Sequence, residues 1–178
     1  MIELTQQQPA DLAAIEALLD EAFGADRRQK ISYRYRRGVA PLAELARVAR
    51  DGGRVVGTIR YWPVLIGAAG HSALLLGPVA VDPVARGQGL GGRLIESTLA
   101  EAVAAGHARV LLVGDLVYYH RFGFVPATGF GLAMPGERPE RLLLRPLRPG
   151  GFDGIQGELR PASPSSQVPA FAAARLKG

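Results

Sequence analysis

The run Arg86-Gly87-Gln88-Gly89-Leu90-Gly91-Gly92 joins an apolar stretch, Val79-Ala80-Val81, to the start of a helical pattern. A glycine-rich loop at such a junction exposes backbone N–H groups, and the helix end adds partial positive charge. Together they bind phosphate or pyrophosphate. A side chain larger than hydrogen would hold the phosphate away from the backbone.

Gly87, Gly89 and Gly92 also satisfy the dinucleotide pattern G-x-G-x-x-G, and Asp115 stands where a ribose-binding acid would be expected. The context argues against that reading. Asp82–Arg86 separate the strand from the first glycine, Pro83 among them, and no long helical pattern follows residue 125. A P-loop is excluded because no Gly-Lys-Ser/Thr follows. The chain has no cysteine, which removes disulfides, thiolate metal sites and a cysteine nucleophile. His71, His107 and His120 lack zinc-ligand spacing, so no metal site is expected.

The elements that must position the loop are legible in the periodicity. Ile2–Thr5 reads as a short strand. Pro9 opens a helix carrying Leu12, Ile15, Leu18, Leu19, Ala22 and Phe23, and Gly24 suits its end. Residues 25–40 form a polar, Arg-rich connection. Asp51-Gly52-Gly53 is a hairpin turn between expected strands at 44–50 and 54–62, although 42–50 also fits a helix. Ser72–Val81 reads as a buried strand, bulged or unpaired on one side at Pro78. Leu90, Leu94, Ile95, Leu99, Ala102 and Val103 form a helical stripe closed by Gly106, and Arg109–Val113 is another buried strand. Short strands are expected near 129–134, 140–147 and 154–160.

With 178 residues and 48% hydrophobic content, the chain fits one globular domain. The sequence predicts a domain over 1–160 and a Pro/Ser/Ala-rich arm over 161–178. No run is apolar for long enough to cross a membrane, and the N-terminal residues do not read as a signal peptide, so a cytoplasmic location is expected. Charge is uneven. Residues 1–26 carry six acids and no Lys or Arg, whereas 27–54 carry nine bases and two acids. Arg27, Arg28, Lys30, Arg34, Arg36 and Arg37 interleave with Tyr33 and Tyr35. Such a stripe reads as a solvated face beside the acidic first helix, as the border of an anion site, or as a nucleic-acid surface.

The loop Arg86-Gly87-Gln88-Gly89-Leu90-Gly91, preceded by Val79-Ala80-Val81-Asp82-Pro83, resembles the acetyl-coenzyme A loop of the GNAT N-acetyltransferases. A second run, Gly114-Asp115-Leu116-Val117-Tyr118-Tyr119-His120-Arg121-Phe122-Gly123-Phe124, is similar to a motif of one branch of that family. The resemblance covers residues 1 to about 160 and implies an α/β (α+β) fold. Its mixed, mostly antiparallel central sheet is flanked by helices and splayed at the acetyl-CoA strand.

The resemblance further implies direct acetyl transfer from acetyl-CoA to an amine acceptor of unspecified identity. The pyrophosphate would lie on the backbone of Arg86, Gly87, Gln88, Gly89, Leu90, Gly91 and Gly92. The pantetheine arm would run beside Val79, Ala80 and Val81, residues that also read as core. Tyr119 matches the family's general acid toward the leaving thiolate, and a phenol with pKa near 10 suits that role. Tyr118 and Tyr119 also read as packing around Phe122 and Phe124. No general base stands out. Tyr33, Tyr35, Tyr61 and Trp62 would border the acceptor side, and Arg34, Arg36 and Arg37 there would suit an acidic acceptor. An acyl-CoA sensor without turnover, a nucleic-acid binder through 27–37 and a homodimer remain open alternatives.

Overall fold

Ile15, Leu18 and Leu19 are buried against Val48 and Ala80. They seat the first helix, α1 (Leu12–Phe23), on a sheet whose first strand is β1 (Ile2–Gln6). Each such side chain contributes about 1.5–3 kcal/mol on burial, which fixes a twelve-residue helix that would be marginal alone. The computed structural model describes residues 1–163. The remaining elements are β2 (Arg47–Asp51), β3 (Arg54–Ile66), β4 (His71–Val81), α2 (Leu90–Ala104), β5 (Arg109–Val113), α3 (Leu116–Tyr119), β6 (Val125–Pro126), β7 (Leu132–Ala133), β8 (Leu142–Pro146) and β9 (Gly157–Pro161).

The sheet runs β1-β2-β3-β4-β5-β8-β6, with β9 beside β3 and β7 beside β9. Every pairing is antiparallel except β4 with β5 and β7 with β9. The α/β, mostly antiparallel expectation therefore holds. β3 is long enough to take two partners on one edge. Its first half pairs with β2 and its end with β9. Between them, the Leu42 amide donates to the Tyr61 carbonyl at 2.8 Å.

Side-chain alternation along β3 sorts the two faces. Ile59 and Tyr61 join the core under α2, and the Tyr61 hydroxyl lies 2.9 Å from Thr98 Oγ1 on that helix. Trp62, Val64 and Ile66 belong to the opposite core with Leu75, Leu111 and Leu144.

Several boundaries differ from the sequence reading. The strand expected at 44–50 begins at Arg47, because Ala43–Leu45 closes a 3₁₀ turn. Residues 27–29 and 31–36 of the Arg-rich connection are likewise 3₁₀ turns. The strand expected over 129–134 shrinks to Leu132–Ala133, since Ala127–Phe130 turns and Gly131 takes a left-handed conformation. Pro161, assigned to the arm, instead ends β9 and pairs with Val64. The rest of the expected arm, residues 164–178, lies outside the described residues. Among the described residues no helix is long and apolar enough to cross a membrane.

Candidate functional site

β4 and β5 pair only at Leu74–Val110 and Leu75–Leu111. Beyond Leu75 the two strands part. On its other side β4 bulges. Ile59 pairs with Val79 and Tyr61 with Leu76, so Gly77 and Pro78 together face Arg60 alone. The irregularity expected at Pro78 is present on both sides of the strand. It leaves the β5-facing backbone edge of Val79, Ala80 and Val81 without a strand partner among the described residues, beside the glycine loop.

Asp82 shapes the approach to that loop. Its carboxylate accepts from the Val84 amide at 2.8 Å and from Arg54 at 2.9 Å. Gly89 then caps α2 in a left-handed conformation, with no side chain satisfying the helix end. The first intrahelical bond runs from Arg93 N to Gly89 O at 3.0 Å. The amides of Leu90, Gly91 and Gly92 thus have no intrahelical acceptor. They open onto a groove of about 530 Å³ lined by Val81, Arg86, Gly87, Gly89, Gly91, Tyr118 and Arg121, among others. Arg86, Arg93 and Arg121 supply positive charge there, against the single carboxylate of Glu96. The donor set fits a pyrophosphate.

The sequence candidates fall into three groups. Val81, Arg86, Gly87, Gly89, Leu90, Gly91 and Gly92 line the groove. Gln88 is exposed and outside the lining. Val79 is half-buried on the α2-side core and Ala80 is buried on the α1-side core, which leaves the backbone as what Ala80 offers a ligand.

The second motif places its two tyrosines differently. Asp115 caps α3 by accepting from the Val117 amide at 3.0 Å, a structural duty in place of the ribose contact of a dinucleotide site. Tyr118 lines the groove, and its hydroxyl stands 3.3 Å from where a side chain on Gly91 would begin. Arg121 stacks over its ring at 4.3 Å. Tyr119 meets Tyr118, Phe122 and Phe124 through ring contacts. It lines neither this groove nor the cavity described next. Burial, reinforced by Tyr118, pushes its phenol up to about 12, so it keeps its proton at neutral pH.

On the α1 side lies a cavity of about 440 Å³, lined by Glu16, Arg27, Arg28, Tyr33, Arg36, Arg37, Arg60, Trp62 and Pro78, with Leu19 behind. Burial alone would raise the Glu16 carboxyl, but hydrogen bonds from Arg27, Arg28 and Arg60 hold it at about 2. Arg27 is buried and spent, since Asp20 and the Tyr33 hydroxyl also take its donors. Of the expected acceptor residues, Tyr33, Trp62, Arg36 and Arg37 line the cavity. Arg34 is exposed outside it, Tyr61 faces α2, and Tyr35 is buried with its hydroxyl on the Leu159 carbonyl.

Glu16 and Arg60 were not singled out from sequence, and Tyr118 was read only as a packing residue. Adjacency to Tyr119 could have marked Tyr118. The α1–β3 contact that brings Glu16 to Arg60 spans 44 positions and has no local signal.

Residues 3–127 match the family model described as an acetyltransferase (GNAT) domain. The chain belongs to the GNAT acetyltransferase family. It is an acyltransferase, and acetyl-CoA is the family's cosubstrate. The uncharacterised N-acetyltransferase YhbS of Escherichia coli is 34% identical over 117 residues, covering 65% of this chain and 69% of that one. The E. coli N-acetyltransferase YjhQ is 30% identical over 134 residues, 74% of each chain. Among solved structures, E. coli YhbS in complex with CoA superposes with a TM-score of 0.77 at 30% identity, over 91% of this chain and 89% of the other. A Brucella melitensis GNAT acetyltransferase in complex with acetyl-CoA gives 0.68 at 30% identity, over 91% and 96%. In this acetyltransferase two residues of β4 beyond its last pair with β5 reach the two openings: Val81 lines the glycine groove and Pro78 lines the arginine cavity.

Proposed function

We propose that this chain is an N-acetyltransferase that moves the acetyl group of acetyl-CoA directly onto an amine of a separate acceptor. One observation carries the reading. The uncapped N-terminus of α2 opens onto a cationic groove directly beside the unpaired backbone edge of Val79–Val81. The backbone of Arg86–Gly92 would hold the pyrophosphate, and Val79–Val81 would pair with the pantetheine arm. The cosubstrate supplies an acyl group activated as a thioester.

The acceptor nitrogen forms the new C–N bond as the C–S bond breaks, with the electron pair leaving on sulfur. Tyr119 lies one residue behind the groove-lining Tyr118 and is protonated at neutral pH; its hydroxyl would donate its proton to that sulfur and recover one from solvent. Among the described residues, the only carboxylate lining the acceptor-side cavity is Glu16. Its pKa of about 2 and its three arginine partners make it a poor base. The amine therefore sheds its proton to water, and the surrounding guanidinium groups favour the neutral form by repelling the ammonium.

Thermal unfolding with and without acetyl-CoA, with NADH as control, tests the groove. A ligand at 100 times its Kd stabilises by about 2.7 kcal/mol. A midpoint rise with acetyl-CoA alone, followed by thiol release across an amine panel, is the expected result. Acetyl-CoA binding without release from any amine would favour a second reading, an acyl-CoA sensor, which the engagement of Glu16 by three arginines already supports. No shift with acetyl-CoA would remove both.

A further inference from the structure

Arg36 is the outlier of the arginine cavity. Arg27 is saturated by Glu16, Asp20 and Tyr33, and Arg60 holds Gln7 and Glu16. The Nε and Nη1 of Arg36 are buried with no hydrogen-bond partner among the described residues, and so is the Nη2 of Arg60. Unmet donors of a buried cation are costly, and native structures rarely keep them without a ligand or a function. The Arg36 side chain is also held in place. Its guanidinium lies 4.4 Å from the Tyr33 ring centroid and 5.9 Å from that of Trp62. Burial lowers its pKa to about 10, against the favourable effect of Tyr33, yet it stays charged at neutral pH.

Its position is specific. Arg36 Nη2 stands 3.4 Å from where a side chain on Gly77 would begin, and Pro78 lines the same cavity. Gly77–Pro78 is the bulge at which β4 leaves β5. A group paired with Arg36 is thus held at the split, where the acceptor amine must arrive. Arg28 and Arg37 are exposed at the cavity and give it a positive field that draws anions. No lining carboxylate is free to answer these cations.

Resting on the acetyltransferase reading, we propose that the acceptor is a small amine that carries an oxyanion, a carboxylate or a phosphate, within a few bonds of its nitrogen, and that Arg36 with the free Nη2 of Arg60 binds that oxyanion. Planar guanidinium donors suit both groups. The proposal narrows the substrate class to acidic amines and sets simple alkylamines and polyamines aside.

The test is a steady-state panel of matched pairs with acetyl-CoA, following thiol release. Each amino acid is assayed beside its amide, and 2-aminoethyl phosphate beside ethanolamine. The acidic member of at least one pair is expected to exceed its neutral partner in kcat/KM by tenfold or more. Arg36→Gln is expected to shrink that ratio at least tenfold, mainly through KM, and Arg36→Lys to restore part of it. The pair that responds separates carboxylate from phosphate. Neutral members turning over as fast as acidic ones, or a ratio untouched by Arg36→Gln, overturns the proposal. So does a protein that acetyl-CoA stabilises but that acetylates no acidic amine. Failure of acetyl-CoA to stabilise the wild-type fold instead marks failure of the acetyltransferase reading.

Discussion

The indole N–H of Trp62 donates to the carbonyl of Gly77 across 2.8 Å. This bond ties β3 to β4 inside the bulge, where regular pairing lapses between Ile59 and Tyr61. The bulge leaves the Gly77 carbonyl outside the ladder, and Trp62 supplies its donor. The same ring then forms a wall of the arginine cavity. One side chain therefore stabilises the parting of the sheet and shapes the space the parting creates.

Trp62→Phe keeps an aromatic wall but removes that donor. A buried acceptor left unmet costs about 1–3 kcal/mol, and the smaller ring adds to the loss. The urea midpoint is expected to fall accordingly. An unchanged midpoint would show that the Gly77 carbonyl finds another partner.

Gly91 separates folding from binding. It lies in the first turn of α2, where alanine is favoured over glycine by about 0.5–1 kcal/mol. Its added methyl would meet the Tyr118 hydroxyl at 3.3 Å and project beside the helix-end amides. Gly91→Ala is expected to change the ligand-free unfolding midpoint little, the helix-propensity gain being offset as the Tyr118 hydroxyl gives way, and to weaken acetyl-CoA binding about tenfold or more. Titration of both proteins with acetyl-CoA measures this. Undiminished affinity would place the pyrophosphate elsewhere in the groove.

Glu16 links the arginine cavity to acid stability. Its ordinary value is 4.5 and its folded value about 2. The unfolded chain therefore binds the proton first as pH falls. The stabilisation is complete above about 4.5 and is lost on the way down through about 2. The carboxylate is a third exposed, so screening trims the contribution to about 1–2 kcal/mol. Unfolding free energies from pH 6 to 2 are expected to fall less steeply in Glu16→Gln than in the wild type. Parallel curves would mean that other carboxylates carry the acid dependence.

The glycine groove was legible because it is local. Arg86 to Gly92 are contiguous, and glycine spacing at a strand–helix junction already states what the backbone does there. The β4 irregularity was legible for a similar reason, since Pro78 cannot donate to a ladder. The acceptor half was not. Arg36 and Arg37 could be named from a basic run, but the run does not say which cations turn inward. Arg34, two positions away, faces solvent. Periodicity puts Arg60 and Trp62 on one face of β3 without showing that α1 brings Glu16 to meet them. Arg86, Gly87, Gln88 and Gly89 are all exposed, as suits a loop that would work through its backbone rather than its side chains.

Tyr118 and Tyr119 share an aromatic cluster with Phe122, but only Tyr118 lines the groove, and a substitution pair tells them apart. Tyr119 packs among aromatic rings, and burial keeps its phenol protonated up to about pH 12. If it donates to the departing sulfur, Tyr119→Phe lowers kcat about 10²-fold and leaves the Kd for acetyl-CoA within about twofold. Tyr118 lines the groove, so Tyr118→Phe acts mainly on acetyl-CoA affinity. The protonated phenol is the working form, and its raised pKa puts the loss of that form near pH 12. Across pH 6–10 the wild-type kcat is therefore expected to show no alkaline fall from this group. A fall near pH 9 that disappears in Tyr119→Phe would assign the phenol a much lower pKa. An unchanged kcat in that variant would reduce Tyr119 to a packing residue.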